Sequence, residues 1–242
     1  MIDLNGRLAL VTGASRGIGQ ASAVALARAG ADIAVHYRKH EQGARETMAQ
    51  VMALGRRAAI VQADVSDDGQ VRAMVDRVQS DLGPVEILVN NAGWARQQAM
   101  DDVTEADWDA VLAVNLKSVF LVTRAVLPAM REGRWGRIVN ISSGAAATGG
   151  VVGIHYTAAK AGLEGLTRAY AKLLVKEGIT VNTVVPTMID TGPGRDNVAR
   201  AKIIPLGRVG RPEEIADAVA LCAGTGYMTG QTVNLNGGLY FR

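Results

Sequence analysis

The residue pattern best suited to chemistry is a tyrosine followed four positions later by a lysine. Tyr156 and Lys160 stand in the run His-Tyr-Thr-Ala-Ala-Lys, and Ser143 precedes the tyrosine by 13 residues. On a helix these two positions share one face, so the phenol and the ammonium would lie about one turn apart. A neighbouring cation favours the phenolate and lowers a tyrosine pKa that is otherwise about 10. The spacing therefore predicts a general acid or base that works near neutral pH.

A glycine-rich segment directly follows the first apolar run of the chain. It consists of Gly13, Ala14, Ser15, Arg16, Gly17, Ile18 and Gly19. Glycines at such a turn let the backbone approach a pyrophosphate, which then lies at the positive N-terminus of the next helix. The spacing GxxxGxG departs from the commoner GxGxxG. We interpret the segment as a dinucleotide-binding turn, with a purely structural turn as the alternative.

The end of the second apolar run indicates which dinucleotide to expect. An NAD site would place Asp or Glu there to bind the ribose 2′-hydroxyl. The chain instead has His36, Tyr37, Arg38 and Lys39, with Arg16 on the glycine-rich segment. Two guanidinium groups and an ammonium suit a 2′-phosphate. The hypothesis is therefore NADP(H) as cofactor, with NAD(H) as an alternative and a solvated basic turn as the non-functional interpretation.

Small and polar residues follow the third and fourth apolar runs. Asp64 and Val65 follow the third, where the carboxylate could accept from the adenine amine while the valine packs on the ring. Asn91, Ala92 and Gly93 follow the fourth and could line the cofactor. Ligands of open α/β sheets bind at the carboxyl ends of the strands, so we predict one crevice formed by these residues.

Short apolar runs alternate with segments of helical periodicity along the whole chain. The predicted strands are Leu8–Thr12, Ile33–Tyr37, Arg57–Gln62, Ile87–Asn90, Arg137–Ser142, Thr180–Val185 and Thr232–Leu235. Such alternation predicts an α/β fold, a parallel sheet with helices on both faces. We expect a single domain over residues 1–242, with a substrate lid at about 187–205.

Composition excludes several classes of protein. Of the 242 residues 48% are hydrophobic and 20% charged, which is typical of a globular chain. The net charge of +3 comes without a long basic run, so nucleic acid is not an expected partner. The single cysteine, Cys222, excludes an internal disulfide. The sequence contains no Cys/His cluster, so we do not expect a metal site. We expect a cytoplasmic protein, since neither a signal sequence nor an apolar segment of roughly 18 residues is evident.

The ordered set of motifs resembles the short-chain dehydrogenase/reductase superfamily over about residues 7–240. The set comprises Gly13-x-x-x-Gly17-x-Gly19, Asn90-Asn91-Ala92-Gly93, Asn115, Ser143 and Tyr156-x-x-x-Lys160. The segment from Tyr227 to Gly238 is most similar to the 3-oxoacyl-acyl-carrier-protein reductases. The resemblance implies a Rossmann-type, doubly wound sheet of seven parallel strands in the order 3-2-1-4-5-6-7, and usually a homotetramer.

The resemblance also implies an NADP(H)-dependent reduction of a carbonyl, such as a 3-oxoacyl thioester, to a secondary alcohol. Tyr156 would be the general acid, Lys160 would lower its pKa and hold the ribose hydroxyls, and Ser143 would donate to the developing alkoxide. Asn115, at the start of a helix, would hold a water that feeds protons to Lys160. Further cofactor contacts are implied for Tyr156 itself and for Pro186, Thr187, Ile189 and Thr191.

Some residues depart from the family pattern. Pro186 is followed by Thr187 where the family commonly has glycine, which puts a side chain next to the expected nicotinamide. Arg134 matches one basic residue that grips the acyl carrier protein, but Glu177 stands at the other matching position. An acyl carrier protein is therefore a less supported partner. A sugar, polyol or steroid-type alcohol dehydrogenase stays an alternative, as does a nucleotide-sensing protein without catalysis.

Two groups of apolar residues could contact a second subunit or a substrate. The stretch Val119–Leu127 is apolar on most sides, so one face should meet the sheet and another should be covered by a second subunit. Trp94 and Ile154 could line an apolar substrate mouth or pack in the core.

Overall fold

Parallel strands form one seven-stranded sheet in the computed structural model, which describes residues 2–192 and 196–241. The strands are β1 Leu8–Val11, β2 Asp32–Tyr37, β3 Ala58–Gln62, β4 Ile87–Asn90, β5 Gly136–Ile141, β6 Ile179–Pro186 and β7 Thr232–Leu235. Their order is β3-β2-β1-β4-β5-β6-β7, and each neighbouring pair is parallel. The predicted fold class and strand order are confirmed, and each predicted strand end lies within one residue of the observed one.

Helices cover both faces of the sheet. They are α1 Gly17–Arg28, α2 Glu41–Ala53, α3 Asp68–Leu82, α4 Glu105–Leu112, α5 Ser118–Glu132, the single turn α6 Ala145–Thr148, α7 Ile154–Leu174, α8 Asn197–Ile203 and α9 Pro212–Gly224. Short 3₁₀ turns lie at Met100–Asp102 and Val175–Glu177. Most strand residues are apolar and buried, because helices cover both faces of the sheet.

Alternating residues of the central strands enter two separate cores. On β1, Ala9 and Val11 belong to the cluster that contains Leu26 of α1 and Val219 of α9. Leu10 belongs to the opposite cluster, with residues of α3, α5 and α7. Each fully buried valine or leucine side chain among them stabilises the fold by about 1.5–3 kcal/mol before the entropy of ordering is counted.

A series of hydrogen bonds between buried polar side chains fixes α7 against the middle of the sheet. The Asn90 side chain on β4 donates to Asn140 Oδ1 on β5 at 2.9 Å, and Asn140 Nδ2 donates to Thr167 Oγ1 on α7 at 2.9 Å. Thr183 on β6 also donates to Thr167 Oγ1, at 2.8 Å. Buried polar groups of this kind are costly when unpaired, so these hydrogen bonds specify one position of α7.

Helices α4 and α5 are joined by a π-helical turn at Ala113–Lys117 into a continuous helix over Glu105–Glu132. By length and composition this helix could cross a membrane, contrary to the expectation that no segment is apolar enough. Half of its most apolar window is buried inside the protein, and core helices that pack on a sheet meet the same criteria. The helix is weak evidence for a membrane span.

The described part of the proposed lid segment, 187–205, includes one short helix. Ile189 forms an isolated parallel bridge with Gly210, and α8 occupies Asn197–Ile203. Pro193 and Gly194, which helped to suggest a lid, lie outside the described residues. A covering role for this segment stays a prediction.

Candidate active site

A cleft of about 1120 Å³ lies at the carboxyl ends of the central strands. Most of the predicted cofactor residues line it, namely Gly13, Ser15, Arg16, Gly17, Ile18, Gly19, Arg38, Asp64, Val65, Asn91, Ala92, Gly93 and Thr191. Its volume is that of a large ligand pocket. Residues that are far apart in the sequence therefore meet at one edge of the sheet, as the strand-end argument predicts.

The glycine loop between β1 and α1 needs glycine at positions 17 and 19. A Cβ atom on Gly19 would overlap the carbonyl oxygen of Gly13 and the side-chain amide of Asn91. That amide donates to the carbonyl oxygens of Thr12 and Gly13 at 2.9 and 3.0 Å. Gly17, at φ +56°, begins α1 and lines the cleft. The positive end of α1 thus borders a space that fits the pyrophosphate of a dinucleotide.

His36 supports this loop from inside the sheet. Its Nδ1 accepts the N–H of Gly13 at 3.0 Å, and its Nε2 lies 3.1 Å from the carbonyl oxygen of Ala63. Since a carbonyl only accepts, Nε2 carries the proton. Burial lowers the pKa of His36 to about 4. Sequence reasoning noted His36 only as part of a basic strand end; a histidine within an apolar strand was the available signal.

The end of β2 presents cations to the cleft, with one correction to the predicted set. Tyr37 is only 6% exposed and belongs to the core cluster that contains Leu26 of α1 and Ala44 of α2, so its side chain does not line the cleft. The reason is strand alternation, which sends Tyr37 to the face opposite to His36 and Arg38. Lys39 and His40 line the cleft instead.

Asp64 is held by neighbours on both oxygens. Arg38 forms an ion pair with it at 2.8 Å, and the Ser66 hydroxyl donates to it at 2.6 Å. Partial burial raises the pKa of Asp64, but the hydrogen bonds from Ser66 and the charge of Arg38 outweigh it and lower this pKa. Asp64 is the one carboxylate among the described residues that line the cleft, and Arg38 neutralises it.

Tyr156 and Lys160 face each other on α7. Lys160 Nζ lies 5.8 Å from the centroid of the Tyr156 ring and donates to the carbonyl oxygen of Ile141 at 2.8 Å. Burial lowers the pKa of Lys160 to about 8. Lys160 Nζ is also 3.7 Å from the place that a Cβ atom on Gly93 would occupy. Tyr156, Lys160 and Ser143 do not line the large cleft themselves, but Lys160 meets it at Gly93.

The two serines after β5 have different surroundings. Ser142 Oγ is buried and lies 3.2 Å from the Lys160 carbonyl oxygen and 3.4 Å from Glu164 Oε1. Ser143 is only partly buried, and its Oγ accepts the N–H of Ala145 at 3.2 Å. Their separation agrees with the strand alternation that favoured Ser143 as the reactive serine.

The resemblance placed Asn115 at the start of a helix, and this is wrong. It lies inside the π-helical turn of the continuous helix, where its Nδ2 donates to the carbonyl oxygens of Trp94 and Val111 at 2.8 and 3.0 Å. Its Oδ1 accepts the N–H of Trp94 at 3.2 Å. The amide thus ties the loop after β4 to this helix. π-helical turns occur frequently at functional sites, and hydrophobic periodicity does not indicate them.

The residues after β6 are only partly where the resemblance placed them. Thr191 lines the large cleft, whereas Thr187 and Ile189 line a separate cavity of about 160 Å³ and Pro186 lines neither. The extra side chain of Thr187 is accommodated by Gly144, where a Cβ atom would overlap Thr187 Oγ1 and lie 2.9 Å from its Cγ2. Within residues 2–192 and 196–241 the buried Thr187 Oγ1 has no hydrogen-bond partner.

Comparisons with known proteins agree with this geometry. A family model described as short chain dehydrogenase matches residues 7–201. The chain is 43% identical over 243 residues to nodulation protein G of Azospirillum brasilense, covering 98% of this chain and 99% of that protein. It is 43% identical over 246 residues to the 3-oxoacyl-acyl-carrier-protein reductase FabG of Pseudomonas aeruginosa, covering 99% of both. A crystal structure from Sinorhizobium meliloti 1021, assigned as a short-chain alcohol dehydrogenase, superposes with a TM-score of 0.93 at 37% identity, covering 98% of this chain and 97% of that one.

Proposed function

Because the chain belongs to the short-chain dehydrogenase family of oxidoreductases, we propose that it reduces a ketone to a secondary alcohol with NADP(H). The substrate class is a 3-oxoacyl thioester or a similar ketone, as in the relatives named 3-oxoacyl-acyl-carrier-protein reductases. The observation that carries the proposal is the position of Lys160 Nζ, beside both the Tyr156 ring and Gly93 of the cleft.

When bound, the nicotinamide supplies hydride to the carbonyl carbon. Tyr156 gives its phenolic proton to the carbonyl oxygen, and Ser143 Oγ donates a hydrogen bond to the alkoxide as it develops. The Lys160 ammonium stabilises the phenolate that is left. Asn115 holds the loop at Trp94, which closes one side of the site. Gly13, Gly17 and Gly19 leave room for the pyrophosphate.

The charge state of Lys160 supports this assignment. Burial lowers the pKa of Lys160 to about 8, so the group is still mostly protonated near pH 7. Its surroundings exclude water, and a charge acts more strongly on its neighbour in such a medium. Lys160 can therefore polarise the phenol of Tyr156 as an ammonium, although its pKa lies only about one unit above neutral pH.

The charges around the cleft favour NADP(H) over NAD(H). Arg16, Arg38 and Lys39 line the cleft, and the carboxylate of Asp64 is already paired with Arg38. A ribose 2′-hydroxyl would find no unpaired carboxylate among these described lining residues, while a 2′-phosphate would find cations.

The test is a comparison of NADPH with NADH over a panel of 3-oxoacyl thioesters, diketones, quinones and sugars. We expect a higher kcat/KM with NADPH, and we expect Arg38→Ala to lower that preference by about 10–100-fold, the value of a hydrogen bond to a charged group. Arg45→Ala is the matched control, because Arg45 pairs with Glu41 on α2 and does not line the cleft. A higher kcat/KM with NADH would overturn the cofactor assignment.

The same panel decides between two substrate classes. Similarity to the S. meliloti alcohol dehydrogenase favours a second candidate, an NAD(P)-dependent dehydrogenase of a sugar, polyol or steroid-type alcohol. An acyl carrier protein is a less supported partner, because one of the two positions that match the family's carrier-binding cations holds Glu177. This glutamate pairs with Arg131 at 2.7 Å and so neutralises a further cation on α5. Thioesters that react without the carrier would agree with this view.

Association of subunits and a cytoplasmic location complete the proposal. Phe120 on α5 is 41% exposed and Leu173 on α7 is 71% exposed, which leaves apolar surface on each of these helices. Covering such surface with a second copy is favourable. The homotetramer that the family resemblance implies is the assembly we propose.

A further inference from the structure

The start of α7 is capped in an unusual way. The N-cap residue, Gly153, has no side chain to accept the N–H groups of the first turn, which need partners. The imidazole of His155 supplies one, because its Nδ1 accepts the N–H of Tyr156 at 2.8 Å. His155 is 0% exposed. The residue before the tyrosine therefore caps the turn on which the tyrosine stands.

Gln98 fixes the orientation of this imidazole. The Gln98 Nε2 group donates to the carbonyl oxygen of Asp102 at 2.9 Å and to Asp107 Oδ2 at 2.8 Å. Both partners are acceptors, so the NH₂ end of the amide must point to them and Oε1 must be the atom 3.3 Å from His155 Nε2. His155 Nε2 then carries the hydrogen, which leaves Nδ1 as the acceptor that Tyr156 needs.

Asp107 anchors the chain of hydrogen bonds on α4. Its carboxylate accepts from the Thr104 backbone N–H at 3.3 Å in a capping box, accepts also from the Thr104 hydroxyl at 2.8 Å, and pairs with Arg96 at 3.0 Å. Hydrogen bonds from Gln98 and Thr104 lower the pKa of Asp107 to about 2. The carboxylate is thus an acceptor at any working pH, and it cannot reverse the orientation of Gln98.

The backbone around His155 is adapted to the same contact. The N–H of Gln98 donates to the carbonyl oxygen of Val152 at 2.9 Å, which ties the loop after β4 to the residues before α7. Gly153 has φ +147°, and a Cβ atom there would lie 2.6 Å from His155 Cε1. A side chain at Gly153 would displace the imidazole.

We propose that His155 is a positioning residue for Tyr156, and that Gln98 and Asp107 act through it by holding the imidazole in the accepting tautomer. The proposal rests on the proposed function of Tyr156 as proton donor. Loss of the cap frees the first turn of α7, and a displacement of about 1 Å at a reacting group can cost 10²-fold in rate. We expect the substitutions to lower kcat and not cofactor affinity, because His155, Gln98 and Asp107 do not line the cofactor cleft.

The experiment compares His155→Ala with His155→Asn. Asn places its Oδ1 near the position of Nδ1 and can still accept the Tyr156 N–H, whereas Ala cannot. We expect kcat to fall by about tenfold or more in His155→Ala with an unchanged Kd for NADPH, and to be largely kept in His155→Asn. Equal losses in the two variants, or a wild-type kcat in His155→Ala, would overturn the proposal.

A second pair of variants keeps the test valid if His155→Ala does not fold. Gln98→Leu removes the group that orients the imidazole, while Gln97→Leu changes the exposed neighbouring residue. We expect kcat to fall in Gln98→Leu and to stay at the wild-type value in Gln97→Leu. Equal kcat values in both would contradict the role of Gln98.

Amide hydrogen exchange separates this proposal from the proposed function. The peptide that contains the Tyr156 N–H should exchange faster in His155→Ala and Gln98→Leu than in the wild type, whether or not any carbonyl is reduced. Unchanged exchange would overturn the capping role. Faster exchange in a protein without turnover on the panel would sink the proposed function and leave the cap established.

Discussion

His36 links the protonation of one side chain to the shape of the glycine loop. Its Nδ1 must be unprotonated to accept the Gly13 N–H, and burial lowers the pKa of His36 to about 4. An unfolded chain restores the ordinary histidine value of about 6.5. Between these two values the unfolded chain binds a proton that the folded chain does not.

The consequence is acid lability with a defined window. As pH falls from about 6.5 towards 4, His36 should reduce the free energy of unfolding by about 1.4 kcal/mol per pH unit, and above that window it should have no effect. We expect His36→Gln to lose less thermal stability than the wild type between about pH 7 and about pH 4.5. Melting curves at both pH values measure this. His40→Gln, which removes an exposed imidazole, is the control; equal acid sensitivity of His36→Gln and the wild type would contradict the argument.

Single residues differ in how far the sequence predicts their place. Tyr156 and Lys160 are predictable because helical spacing alone brings them together. His155 and Gln98 are 57 positions apart, and nothing in local spacing says that the loop after β4 meets the start of α7. Tyr37 was misplaced for a different reason, since a strand end was treated as one cluster although its side chains alternate between faces.

At the scale of elements, the ends of β5 and β6 are matched to each other. Gly144 after β5 leaves the space that the Thr187 side chain after β6 occupies, and the Gly144 N–H donates to the Pro186 carbonyl oxygen at 3.1 Å. The absence of glycine at position 187 is thus offset by glycine at position 144. A larger residue at position 144 should therefore be tolerated only when the Thr187 side chain is also removed.

This pairing predicts a non-additive pair of substitutions. Gly144→Ala should destabilise by about 1–3 kcal/mol through overpacking, and adding Thr187→Gly should recover much of that loss. Denaturant unfolding of both single variants and the double variant gives the coupling free energy, which we expect to be about 0.5–3 kcal/mol in favour of the double variant. Additive losses would show that the two side chains do not compete for this space.

Elements themselves were predicted to different degrees. The strands were found because buried parallel strands are continuous apolar runs between turn signals. The π-helical turn at Ala113–Lys117 was missed, because one extra residue per turn hardly disturbs an apolar pattern. The strand order came from the family resemblance, since alternation of strands and helices permits several orders.

At the scale of the whole molecule, the strand order explains why the site residues converge. The chain forms β1, β2 and β3 in one direction and then returns to place β4 on the other side of β1. Helix connections diverge where the order reverses, and they leave a crevice at the carboxyl ends of β1 and β4. Gly13 and Gly93 line that crevice, and α7 brings Lys160 to its edge at Gly93.

The measurement closest to the central claim is single-turnover oxidation of NADPH by a reactive carbonyl, with wild type and Tyr156→Phe compared. Tyr170→Phe on the same helix is the control. We expect Tyr156→Phe to bind NADPH normally and to lose about 10²–10³-fold or more in rate, while Tyr170→Phe keeps the wild-type rate. A near-wild-type rate in Tyr156→Phe would show that the proton comes from another group.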